Sequence, residues 1–155
     1  CGGFTLLNTY GDYPFSMGAY ANMVARLRPH YYATMDYPCE PEITRSLGLS
    51  DNATRIEATV ENARRMLVDY EPMLPLATAV PVIQGWTLDE YIHCLDLHIA
   101  TGTARPYMAV GSMCTRANDA ELLGIVPKLH AYAAAAGVQR LHFFGLKMSP
   151  VTAPL

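Results

Sequence analysis

Residues 78–102 read TAVPVIQGWTLDEYIHCLDLHIATG, and this stretch decides the fold. Thr78 to Gln84 is a short apolar run of the kind a buried strand needs, weakened at its centre by Pro81, which has no N–H to give to a ladder. It leads into Thr87-Leu88-Asp89-Glu90. A Thr at the N-cap with a Glu three residues later is a capping box, and Trp86 and Tyr91 stand where a hydrophobic staple would close over it. The helix runs to about Ala100 and stops at Gly102. A buried strand feeding a capped helix is one βα unit, so the question becomes whether the flanking sequence repeats it.

It does, in both directions. Downstream, Pro106 to Val110 is a strand followed by the turn Gly111-Ser112. Asn118 with Glu121 then forms a capping pair, Pro127 opens a second helical stretch at its N1 position, and Gly137 supplies a left-handed C-terminal cap. Arg140 to Phe144 is the last strand, ending at Gly145. Upstream, Tyr31 to Asp36 is an aromatic strand ending on an acid, and Tyr37 to Leu49 is a loop containing Pro38, Pro41 and Gly48. With Ser50 as N-cap, Ile56, Val60, Ala63, Leu67 and Tyr70 fall on one helix face until Pro72 and Pro75 stop it. An earlier helix lies within Ser16 to Pro29.

Strands and helices in strict alternation make an α/β protein, either a doubly wound sheet or a (β/α)8 barrel. No G-x-G-x-x-G follows a strand and no G-x-x-x-x-G-K-[ST] occurs, so nucleotide-phosphate cradles are not supported. The polar residues favour the barrel. Asp36, Gln84, Gly111 with Ser112, and Gly145 stand at the C-terminal ends of successive strands, the rim on which barrels do chemistry.

Composition narrows the class. The chain has 155 residues, 51% hydrophobic and 16% charged, which suits one domain with a single core and excludes a disordered tail. No apolar run approaches the roughly 18 residues of a bilayer span. Net charge is −3, with the 11 basic residues nearly all Arg, so no broad cationic face for a duplex is present. Arg64-Arg65 and Arg116 could form a local phosphate patch, against an exposed helix face as the ordinary alternative. Cys1, Cys39, Cys94 and Cys114 lack zinc-knuckle spacing, and no signal peptide opens the sequence. Reduced thiols in a cytoplasmic protein are expected.

The strand ends, taken in order, resemble the tRNA-guanine (queuine) transglycosylase superfamily. Cys1-Gly2-Gly3-Phe4 is similar to the family's Asp-Ser-Gly-Gly-Tyr/Phe turn, and Met35-Asp36-Tyr37-Pro38-Cys39 to the strand end carrying its base-reading Asp. Val82-Ile83-Gln84-Gly85 resembles the Val-Gln-Gly segment, Ala109-Val110-Gly111-Ser112-Met113 the Ile-Gly-Gly-Leu turn, and Phe143-Phe144-Gly145 the strand end that places a Met under the base. The Asp-Tyr-Pro-Cys and Gln-Gly-Trp forms look closer to the branch that inserts deazapurines into DNA. The resemblance implies a (β/α)8 barrel that exchanges guanine for a 7-deazaguanine through a nucleophilic Asp, acting on tRNA or DNA, with a homo- or heterodimer allowed. The family's nucleophile and structural zinc site would lie beyond Leu155, so no catalytic residue, metal ligand or cofactor is assigned here. The chain is expected to be one fragment of such a barrel, from the end of strand three to strand seven, and to be inactive and poorly soluble alone.

The substrate-binding candidates are Phe4, Asp36, Cys39, Gln84, Gly111, Ser112, Met113 and Phe144. Guanine offers N1–H and a 2-amino group as parallel donors, which one carboxylate, Asp36, accepts together. A Gln84 amide and the backbone of the Gly111–Met113 turn suit O6 and N7, and Phe4 with Phe144 suit the ring faces. Each has an ordinary alternative. Asp36 could cap a loop amide, Gln84 could be a satisfied buried amide, Cys39 an inert core thiol, Phe4 and Phe144 core residues, and Gly111 and Gly145 turn glycines needing positive φ. Glu40 and Glu42 with Asp36 could form a paired-carboxylate site, against a solvated acidic lip. Cys94 and His98 share a helix face but lack a second ligand pair. Two other functions stay open: a non-catalytic base- or nucleic-acid-binding subunit of the same fold, and a metal-dependent lyase or hydrolase using Asp36 and Glu40.

Overall fold

A computed structural model describes residues 2–116 and 118–146; for residues 2–4 and 119 it describes the backbone alone. In order these form α1 (Gly2–Tyr10), α2 (Met17–Leu27), β1 (Tyr31–Ala33), α3 (Pro41–Ser46), α4 (Ala53–Arg65), β2 (Thr78–Val80), β3 (Val82–Ile83), α5 (Leu88–Ala100), β4 (Tyr107–Val110), α6 (Asp119–Ala135) and β5 (Arg140–Phe143). α4 runs on through a π-helical turn, Met66–Tyr70, and a 3-10 turn, Glu71–Met73.

All pairing is parallel. β1 pairs with β2, Tyr31 opposite Thr78, while β3, β4 and β5 form a second sheet with Val82 opposite Ala109 and Tyr107 opposite Arg140. The break between the sheets is Pro81. It donates nothing to the β1 side, but its carbonyl still accepts from Ala109 N at 2.9 Å, so one extended segment serves β1 with its first half and β4 with its second. Each parallel step is joined by a helical crossover, as the geometry requires. The described residues form these two small sheets and no closed barrel.

β4 shows how side chains are divided between the faces. Met108 and Val110 join a core of Ile56 and Val60 from α4, Tyr91 and Leu95 from α5, and Leu122 and Leu129 from α6. Ala109 packs on the opposite face with Val80 and Val82, against Tyr107 and Phe144. A third cluster joins Met17 and Val24 of α2 to Tyr32 of β1 and to Met66 and Leu67.

Several local readings need correction. The Gly2–Tyr10 backbone is helical rather than a turn: Leu7 is buried, and Gly11, at φ +76, ends the helix with its N–H on Leu7 O. Within the expected loop 37–49, Pro41 at the first helical position opens α3. Ser50 does not cap α4. Its hydroxyl turns to Asp51, Asp51 Oδ1 accepts from Ala53 N at 3.0 Å, and the N-cap residue is Asn52, whose side chain is used elsewhere. Pro127 lies inside α6 rather than opening a helix. Asn118 caps α6 as expected, accepting from Ala120 N, but Glu121 pairs with Arg116.

The capping box and the C-terminal end of α5 stand where the sequence puts them. Thr87 accepts from Glu90 N, Glu90 Oε2 accepts from Thr87 N at 2.9 Å, and Gly102 lies at φ +71. His98, on the helix face it shares with Cys94, spends both ring nitrogens on structure. Nε2 lies 3.0 Å from Val82 O and Nδ1 lies 2.7 Å from Thr103 Oγ1, so Nε2–H donates and Nδ1 accepts. Burial pushes its pKa down to about 4 and keeps the ring neutral.

Candidate functional site

A cavity of about 440 Å³ lies at the C-terminal ends of the strands. Asp36 follows β1, Gln84 follows β3, Gly111 and Ser112 follow β4, and Phe144 follows β5; all five line it. Crossover chains leave the sheet at these ends, so a parallel sheet gathers side chains from distant parts of the sequence there.

The segment carrying Asp36 is fixed by side chains from five other places. The Tyr13 hydroxyl donates to Asp36 O at 2.7 Å and accepts from Asp36 N at 3.0 Å. Tyr37 N donates to Thr59 Oγ1 at 2.9 Å, and Pro38 O accepts from Arg55 Nε. Cys39 N donates to Ser112 Oγ at 2.8 Å, and Cys39 O accepts from Asn52 Nδ2 at 3.1 Å. Asn52 also reaches Glu90 in the α5 capping box. A segment without regular secondary structure thus has its backbone polar groups satisfied and its carboxylate held in place.

A polar chain crosses the cavity wall. Gln84 Nε2 donates to Asp36 Oδ2, Gln84 Oε1 lies 2.7 Å from Ser112 Oγ, and Ser112 Oγ lies 2.8 Å from Glu40 Oε2. Gln84 packs so closely on Gly111 that a Cβ there would stand 2.1 Å from its Nε2. Gly111 therefore does not serve a positive φ, which falls instead on Ser112 at 52°, whereas Gly145 at φ +68 is the expected left-handed glycine. The Gly111 N–H is spent on Ile83 O, which leaves Ser112 as the turn residue that lines the cavity with a backbone amide to offer.

Burial raises the Asp36 pKa to about 6, and the Gln84 donor opposes the rise. Tyr13, Phe15 and Tyr20 line the same cavity, the Phe15 and Tyr20 rings stacked at 6.3 Å. Sequence reading passed over these three, although the aromatic run in Tyr10-Gly11-Asp12-Tyr13-Pro14-Phe15 was visible.

Other candidates fall elsewhere. Cys39 and Met113 are fully buried in the helical core and do not line the cavity, and burial pushes the Cys39 thiol far up. The Phe4 side chain lies outside the described residues. Glu40 is no solvated lip: it is 1% exposed and lines the cavity, while Glu42 faces solvent. Arg116 is neither exposed nor a free phosphate ligand. It is buried, stacks 3.9 Å from the Trp86 ring and pairs with Glu121. Arg64 pairs with Glu61 on an exposed face. Among the described residues no group of three or more His, Cys, Asp or Glu side chains is placed to hold a metal.

A family model described as "DpdA: DeoxyPurine in DNA protein A" matches residues 1–152. The chain belongs to the DpdA family. The match takes in every element and every cavity residue of this DpdA-family chain, so the pocket lies within the part that defines the family. No curated protein matches the chain.

Proposed function

We propose that the cavity binds guanine or a 7-deazaguanine during base exchange in DNA, in a transglycosylase-like enzyme. The observation that carries this is a carboxylate and a primary amide side by side in one cavity, Asp36 and Gln84. Asp36 accepts from the base's N1–H and 2-amino group. The second Gln84 N–H and the Ser112 amide donate to O6, and Phe144 and the tyrosines supply flat walls. The volume lies within the roughly 300–1,000 Å³ usual for small-ligand sites. The family's name, deoxypurine in DNA, favours DNA over tRNA. All-parallel pairing with helical crossovers supports reading the chain as an arc of a (β/α)8 barrel.

In the exchange, a carboxylate attacks the sugar C1′, the C1′–N9 bond to guanine breaks, and the incoming base's N9 then displaces the carboxylate. The residues described here are assigned to base reading and not to that attack.

Asp36→Asn tests the reading, because it replaces an acceptor oxygen with a donor facing two donors. Two hydrogen bonds to a charged group are worth about 1.5–3 kcal/mol each, so guanine binding should weaken at least about 100-fold by calorimetry. Unchanged affinity would remove the central assignment.

A further inference from the structure

The polar chain holds one hydrogen too few if Glu40 is ionised. Ser112 Oγ has one hydrogen and two lone pairs. It accepts from Cys39 N, and it faces both Gln84 Oε1 and Glu40 Oε2, which are acceptors. One hydroxyl hydrogen cannot serve both. Turning the Gln84 amide over would satisfy Ser112 but would place its carbonyl against the Asp36 carboxylate. Only one arrangement gives each of these contacts a hydrogen with Asp36 ionised: Glu40 carries a hydrogen on Oε2 and gives it to Ser112, Ser112 gives its own to Gln84 Oε1, and Gln84 gives an N–H to Asp36.

We propose that Glu40 is a positioning residue of the base pocket, a neutral carboxylic acid that acts through Ser112 to lock the Gln84 amide with its NH2 toward Asp36 and the cavity. The pocket then presents an acceptor beside a donor, which matches a 6-oxo-2-aminopurine. A 6-aminopurine would meet donor with donor at position 6 and acceptor with acceptor at N1. This specificity rests on the purine reading above, whereas the placement of the proton rests on hydrogen-bond geometry.

The surroundings agree. Glu40 is almost fully buried, Oε1 has no partner, and burial raises its pKa. The titratable groups around it are Asp36, Cys39 and Glu42 on neighbouring chain, Arg55 on α4, Tyr91 on α5, and Cys114 after β4. Arg55 is the one whose charge opposes neutrality, but its Nε is spent on Pro38 O and its Nη2 is unpaired.

The test compares the full chain with Glu40→Gln and Glu40→Ala, each checked for folding by circular dichroism. The Gln amide donates to Ser112 as the acid does and cannot ionise. Glu40→Ala should weaken guanine binding about tenfold and shrink the guanine-over-adenine preference by a similar factor. Glu40→Gln should keep both, and should hold them to more alkaline pH than the wild type. Guanine's own N1 ionisation affects all three proteins alike. A folded Glu40→Gln that behaves like Glu40→Ala, or shares the wild-type pH profile, overturns the proposal. A second readout needs no ligand. Infrared spectroscopy at neutral pH should show a protonated-carboxyl C=O band that Glu40→Gln removes. Absence of that band means an ionised Glu40 held by Arg55 and overturns the proposal. The band present without guanine binding supports the neutral acid and overturns the purine reading alone.

Discussion

Gly111 is glycine for the sake of a neighbour. Its φ is ordinary, but a methyl group there would overlap the Gln84 amide, which is fixed from its far side by Ser112. Gly111→Ala should displace Gln84, cost about 1–3 kcal/mol in urea unfolding, and reduce guanine binding more than it reduces stability. Asp36, Gln84 and Ser112 could be picked out from sequence because a strand end is a local feature with a polar residue in it. Glu40 could not be separated from Glu42. What buries it is a bond to Ser112, 72 residues away, and Pro-Cys-Glu-Pro-Glu carries no mark of that partner.

At the scale of elements, α5 was legible because each of its signals acts within a few residues: the Thr87–Glu90 box at one end and Gly102 at the other. α6 was misread because a local rule lost to packing. Pro127 withholds an N–H from its helix and crowds the preceding turn, yet Leu122, Ile125, Val126, Leu129 and Ala133 are all buried along the same helix and hold it together. Pro127→Ala should therefore stabilise the protein by roughly 1–3 kcal/mol and raise its melting temperature by several degrees. An unchanged or lower melting temperature would show that the packing needs the proline. Pro81, by contrast, was readable as a flaw in a strand, and the structure places the break between the two sheets there.

Across the whole molecule, buried groups pull stability in opposite directions with pH. The Asp36 carboxyl rises from 3.8 to about 6 on folding, so between those values the native state holds a proton that the unfolded chain releases, and stability falls as pH rises. The loss is at most about 3 kcal/mol, less because the cavity is open to solvent. Glu40, also raised, adds to the fall. His98 is depressed from 6.5 to about 4, so it opposes them, and its contribution rises over that interval. Asp36→Asn removes one side of this balance. Its stability relative to wild type, measured by urea unfolding at a series of pH values, should increase from about pH 4 to about pH 6 and then level off. A constant difference would show that Asp36 has an ordinary pKa. The fixing of residues 36–39 also has a consequence for the order of assembly. The groups that hold this segment come from 23, 22, 17, 73 and 13 residues away. Loop-closure entropy makes the most distant contact the last to be rewarded, so the junction of Cys39 with Ser112 closes late. A chain still emerging from the ribosome, with β4 unmade, holds Asp36, Glu40 and Gln84 without the Ser112 that links Glu40 to Gln84, so the polar chain along the cavity wall is completed only once β4 is in place.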